Sequence, residues 1–136
     1  MTERLLKDLK SECRINKNAL IVEDDPNDAE FLRYVLVDLG FTASVSTNGN
    51  AAIELVRREP KRFGIIFVDI QLPDINGMQV LQCLYKISRE LSIVVVTGGG
   101  RVETLGNTGY YGFVNKPVTT ESMKEIISKT RSLMPA

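Results

Sequence analysis

The stretch Ile65-Ile66-Phe67-Val68-Asp69-Ile70-Gln71-Leu72-Pro73-Asp74-Ile75-Asn76-Gly77 decides the reading of this chain. Its first four residues are a continuous apolar run, the pattern of a strand buried on both faces. Asp69 closes the run. Leu72-Pro73-Asp74 and Asn76-Gly77 then read as a turn and a helix entry. A carboxylate at the carboxyl end of a buried strand is where open α/β sheets place their chemistry. Three more apolar runs end in the same manner. Ala19-Leu20-Ile21-Val22 leads into Glu23-Asp24-Asp25, Ile93-Val94-Val95-Val96 into Thr97, and Phe113-Val114 into Lys116-Pro117. In a parallel sheet these acids, the hydroxyl and the amine face one crevice.

Working outward, the pattern alternates between strands and helices. Strands are predicted at about 18–23, 41–46, 64–69, 92–97 and 111–115. After the first, Pro26 suits the opening position of a helix, with Asp25 as its N-cap. Phe31, Val35, Leu36 and Leu39 follow at helical spacing until Gly40 stops them. Asn48-Gly49-Asn50 is a turn before a helix marked by Ala51, Ala52, Leu55 and Val56, which ends before Pro60. A further helix follows Gly77 with Met78, Val80, Leu81, Leu84 and Ile87. A last one carries Met123, Ile126, Ile127 and Leu133. Such alternation predicts an α/β fold, a doubly wound parallel sheet of five strands with helices on both faces. Ahead of it, Leu5, Leu6 and Leu9 mark a short amphipathic helix over 2–13, so residues 1–16 read as an N-terminal helical extension and 17–134 as the main domain.

The 136 residues suffice for one such core, not two. Seventeen basic and seventeen acidic residues cancel, so no positive excess exists to neutralise phosphates and direct nucleic-acid binding is not expected. No apolar run approaches the ~18 residues that cross a membrane, and the charged start, Met1-Thr2-Glu3-Arg4-Leu5, does not read as a secretion signal. Cys13 and Cys83 belong to no ligand pattern and read as free thiols of a cytoplasmic protein. The chain has no histidine, which excludes the usual Ser/His/Asp and Cys/His triads, His-bearing zinc sites and any phosphohistidine of its own. Gly98-Gly99-Gly100 lacks the spacing of a phosphate-binding glycine loop and reads as a flexible connection.

Glu23, Asp24 and Asp69 come from two strands that a doubly wound sheet sets side by side. At ~4 Å each carboxylate pair repels by roughly 1 kcal/mol in water and by about 4 at an effective dielectric near 20. Protonation or a cation must offset that. Oxygen ligands without His or Cys favour Mg²⁺, which typically completes its shell with a phosphate group. With the amine of Lys116 and the hydroxyl of Thr97 nearby, Asp69 reads as a nucleophile that accepts a phosphoryl group as an acyl phosphate.

Four pieces in order, Leu20-Ile21-Val22-Glu23-Asp24-Asp25-Pro26, Val68 to Gly77, Val95-Val96-Thr97 and Phe113-Val114-Asn115-Lys116-Pro117, resemble the receiver domain of two-component response regulators, here of the stand-alone kind, over about 18–132. The resemblance implies the flavodoxin-like strand order 2-1-3-4-5. It implies Asp69 as phosphoacceptor, with Glu23, Asp24, Asp69 and the backbone carbonyl of Gln71 around Mg²⁺. Thr97 matches the signalling hydroxyl, Lys116 the lysine and Phe113 the aromatic switch position. The Lys116–Pro117 bond matches one that is often cis in the family. The implied donor is a phosphohistidine on a sensor histidine kinase or a histidine phosphotransfer protein. With no output domain after residue 136, readout is expected through an unidentified output protein or a homodimer.

Two other readings stand beside it. A haloacid-dehalogenase-type phosphatase also uses a strand-end Asp but wants a second Asp two residues on, where this chain has Gln71. A phosphorylation-independent interaction domain on the same fold is the other. The intact set Glu23, Asp24, Asp69, Thr97 and Lys116 argues against it.

The chain departs from the family pattern in one place. Thr97 and Lys116 are 19 positions apart, about three fewer than expected, and the interval holds Gly98, Gly99, Gly100, Gly106, Gly109 and Gly112. Each interior Gly costs a helix about 1 kcal/mol relative to Ala. The helix between the fourth and fifth strands is therefore expected to be cut to about one turn near 101–105, or to be missing.

Overall fold

The computed structural model describes residues 16–88, 91–98 and 112–133, with the side chains of the last helix described through Lys129. Five strands, β1 (Asn18–Val22), β2 (Thr42–Ser46), β3 (Ile65–Asp69), β4 (Ser92–Thr97) and β5 (Gly112–Asn115), form one sheet in the order β2-β1-β3-β4-β5. Every pairing is parallel. Four helices accompany them: α1 (Pro26–Asp38), α2 (Gly49–Arg58), α3 (Gly77–Ile87) and α4 (Thr120–Leu133). The strand order and the doubly wound layout are those expected from the sequence. The expectations for the helix over 2–13, the thiol of Cys13, the connection at Gly99-Gly100 and the shortened helix between Thr97 and the fifth strand concern residues outside those described.

The apolar runs work because both sheet faces are covered. Successive strand residues point to opposite faces. Leu20, Val22, Ile66, Val68, Ile93 and Val95 pack with Ala52, Ile53 and Val56 of α2 and Val80, Leu81 and Leu84 of α3. Ala19, Ile21, Ile65, Phe67, Val94, Val96 and Val114 pack on the other side with Leu32, Val35 and Leu36 of α1 and Met123, Ile126 and Ile127 of α4. Each fully buried aliphatic or aromatic side chain of this kind contributes roughly 1.5–3 kcal/mol relative to exposure. No helix among the described residues is long and apolar enough to cross a membrane.

Local chemistry sets the helix ends. Asp25 caps α1, its Oδ1 accepting from the amides of Asn27 (2.8 Å) and Asp28 (3.1 Å), and Pro26 takes the first helical position. Gly40 follows the helix at φ +92°, a conformation that side-chain-bearing residues avoid. Asn48 caps α2 through the Ala51 amide, and Asn76 caps α3 through the Met78 amide. The sequence marks a turn at Leu72-Pro73-Asp74 and a helix entry at Asn76-Gly77, and the entry is where the helix begins.

The strand order reverses direction between β1 and β3. Neighbouring helices then leave the sheet on opposite faces and a crevice opens at the carboxyl ends of those two strands.

Candidate functional site

That crevice holds the acids. Glu23 directly follows β1, and its amide donates to the Ser46 carbonyl (3.0 Å), which extends the β1–β2 ladder by one residue and fixes its backbone. Asp69 is the last residue of β3, paired in register with Val96. The loop after it is closed at both ends. The Ile70 amide donates to Val96 (3.1 Å) and the Gly77 amide to the Ile70 carbonyl (3.0 Å). Glu23 is 1% exposed and Asp69 4%, whereas Asp24 is exposed. One carboxylate oxygen from each of Glu23, Asp24 and Asp69 lies within 4.8 Å of the others.

Lys116, just beyond β5, reaches into this group. Its Nζ lies 2.8 Å from Glu23 Oε1, 3.1 Å from Asp69 Oδ2 and 3.1 Å from Asp28 Oδ2. Its amide donates to the Thr97 carbonyl at 2.7 Å, and the Lys116–Pro117 peptide is cis. The second oxygen of Asp69, Oδ1, accepts from the Gln71 amide at 2.9 Å. Glu23, Asp28, Phe31 and Lys116 line an open cleft beside the acids.

The charges here are strongly perturbed. Burial pushes the Glu23 carboxyl up to about 7; a hydrogen bond with the Asp69 carboxyl adds to this, and Lys116 opposes it. Burial alone would weaken the Lys116 base, but its contacts with Glu23, Asp28 and Asp69 prevail and raise it above the ordinary lysine value. Glu23 Oε1, although 2.8 Å from the ammonium nitrogen, has no aligned hydrogen bond. A buried carboxylate oxygen without an aligned donor, in a donor set made wholly of carboxylates, suits a small hard dication such as Mg²⁺.

Thr97 and Phe113 stand on the two strands beyond β3. Thr97 continues the side of Ile93 and Val95, and Phe113 is paired in register with Val95, so both face the α2–α3 layer. Thr97 is 2% exposed and Phe113 47%. Asp69 belongs to the opposite parity, with Ile65 and Phe67.

Two residues escaped the sequence reading. Asp28 joins Glu23 and Asp69 on the lysine, and its place in the first turn of α1 gave only the signal of an acid at a helix start. Asp74 caps α2 from another loop, with Oδ1 and Oδ2 each 2.9 Å from the amides of Gly49 and Asn50. Its carboxyl is held below the usual carboxylate range, chiefly by the Asn50 amide.

Comparison with known proteins identifies the family and the fold. A family model described as the response regulator receiver domain matches residues 19–128. Hybrid signal transduction histidine kinase A of Dictyostelium discoideum is 29% identical over 121 residues, covering 83% of this chain and 6% of that protein. Response regulator protein PilR of Pseudomonas aeruginosa is 28% identical over 115 residues, covering 82% of this chain and 25% of PilR. The chain thus spans well under two thirds of the length of these relatives. Among solved structures, a response regulator receiver domain protein from Methanospirillum hungatei JF-1 superposes with a TM-score of 0.76 at 25% identity, covering 85% of this chain and 94% of that one.

Proposed function

Because the chain belongs to the response regulator receiver domain family, the phosphoacceptor modules of two-component signalling, we propose that Asp69 accepts a phosphoryl group from a partner phosphohistidine and that this acyl phosphate switches the protein between two binding states. The observation that carries the reading is the setting of Asp69. It is a nearly buried carboxylate at a strand end, with Lys116 Nζ at 3.1 Å and two further acids within 4.8 Å.

One oxygen of Asp69 attacks phosphorus. The P–N bond to the donor imidazole breaks, its electron pair stays on nitrogen, and water supplies the proton that neutralises it. The Gln71 amide holds Oδ1 and so fixes the plane of the attacking carboxylate. Lys116 brings a full positive charge to the oxygens of the transferring group. Glu23, Asp24, Asp69 and the backbone carbonyl of Gln71 are the residues that would hold Mg²⁺. That ion, when bound, would neutralise charge on the phosphoryl oxygens. Thr97 is assigned as the hydroxyl that moves toward the new phosphoryl group, and Phe113, on the same face one strand over, as the aromatic that follows it. Residues 17–134 form the switch and 1–16 an appended segment. The donor is a sensor histidine kinase or a histidine phosphotransfer protein, and the readout passes to an output protein or a second copy.

Incubation with acetyl phosphate and Mg²⁺, followed by intact-mass measurement, tests the assignment. Wild type should gain one phosphoryl group and Asp69→Asn none. A phosphoryl group of the same acid-stable, base-labile kind on Asp69→Asn would remove Asp69 from its role.

A further inference from the structure

We propose that Asp28 is a positioning residue that competes with the incoming phosphoryl group for Lys116 and thereby restrains loading of the site. The inference rests on the acceptor role of Asp69. An ammonium has three N–H donors and no more. Three carboxylate oxygens already surround Lys116 Nζ, from Glu23 at 2.8 Å and from Asp28 and Asp69 at 3.1 Å each. Two of them, Asp28 Oδ2 and Asp69 Oδ2, accept aligned hydrogen bonds from it, while Glu23 Oε1 crowds the nitrogen without one, so a phosphoryl oxygen on Asp69 must compete with these carboxylates for the amine's charge and donors.

Exposure decides which one yields. The side chains of Glu23 and Asp69 are 1% and 5% exposed, so water cannot replace the amine there, and a buried carboxylate stripped of its partner is costly. The Asp28 side chain is 47% exposed, and water can take over its hydrogen bond. Its backbone meanwhile stays fixed in the first turn of α1, its amide on Asp25 Oδ1 at 3.1 Å. The carboxylate therefore releases the amine when the phosphoryl group arrives and takes it back when the group leaves. Its negative charge also opposes the approach of a phosphoryl dianion. Both effects have the same sign: Asp28 weakens the hold of the resting site on a phosphoryl group.

Beryllofluoride with Mg²⁺, which mimics a phosphoryl group on a carboxylate, is titrated into wild type, Asp28→Asn, Asp28→Glu and Asp69→Asn, followed by amide NMR shifts. In parallel the half-life of the acetyl-phosphate-loaded protein is timed. Asp28→Asn should bind beryllofluoride about three- to tenfold tighter than wild type, a change on the scale of one partly screened charge at this distance, and should hold its phosphoryl group longer. Asp28→Glu should stay close to wild type. A merely structural role, such as an acid favouring the start of a helix, predicts the reverse. Asp28→Asn would then melt lower and bind equally or less well, and that result overturns the inference alone. Binding by Asp69→Asn as strong as wild type, or no response by wild type in either assay, overturns the acceptor reading and this inference with it.

Discussion

Glu23 carries its acid–base chemistry into the stability of the whole protein. Its carboxyl titrates near 7 in the folded chain and near 4.5 when unfolded. Between those values the folded state binds a proton that the unfolded state releases. In metal-free protein, stability should therefore fall as pH rises from about 4.5 to about 7, by on the order of 3 kcal/mol, and level off above. Lys116 adds no slope in this window, because its raised value acts only above the ordinary lysine range. Urea unfolding at pH 5, 6 and 7 with EDTA checks this, and Glu23→Gln should flatten the profile. A wild-type profile that rises through the window contradicts the assignment. Lys116→Ala should still take a phosphoryl group from acetyl phosphate, but the amide signals of Thr97 and Phe113 should no longer shift on loading. Normal shifts in that variant would deny the lysine its coupling role. Glu23, Asp24, Asp69 and Lys116 were legible in the sequence because each stands at or just past the end of an apolar run, and strand ends can be read without a fold. Asp28 was not. Its role depends on where a lysine 88 residues later comes to rest, and nothing local encodes that.

The loop after β3 is fixed by close approach as much as by hydrogen bonds. A Cβ on Gly77 would lie 2.4 Å from Ile70 Cα and 2.9 Å from the Asp69 carbonyl oxygen. Both are backbone atoms, so the loop itself must shift. Gly77→Ala should cost about 1–3 kcal/mol in chemical denaturation and slow phosphorylation by moving the Asp69 backbone. Gly98→Ala is the matched control. Among the described residues nothing lies within 4 Å of its Cβ, so stability should hold within about 0.5 kcal/mol. Equal effects at the two glycines would refute this account. Element positions were readable from pattern to within a residue or two. Strand four is 92–97 both as expected and as found, and helix α1 starts at Pro26 with its Asp25 cap. What pattern could not supply was traffic between loops. Asp74 looks like a turn residue because its neighbours are Pro73, Ile75 and Asn76, yet its carboxylate closes the start of α2.

At the scale of the whole molecule, the two apolar layers lie on opposite sides of one sheet and share the same strands, so neither can melt alone. Leu36→Ala in the α1 layer and Leu84→Ala in the α3 layer, both fully buried, should each cost about 2–5 kcal/mol and each lower a single cooperative transition. Two separable transitions in either variant would show that the layers are independent. The shared strands also give the chain a phase. Odd-numbered residues of β3 serve one layer and even-numbered ones the other. One residue added within 65–68 would send every later side chain of that strand to the wrong layer. Two added residues would restore the sides but push the acidic end outward by about 6.6 Å. Exchange of one side chain for another is thus open to this sequence almost everywhere. Changes of length are confined to the turns, and insertion scanning across 60–80 should find tolerated sites only outside the strand and the helix that follows it.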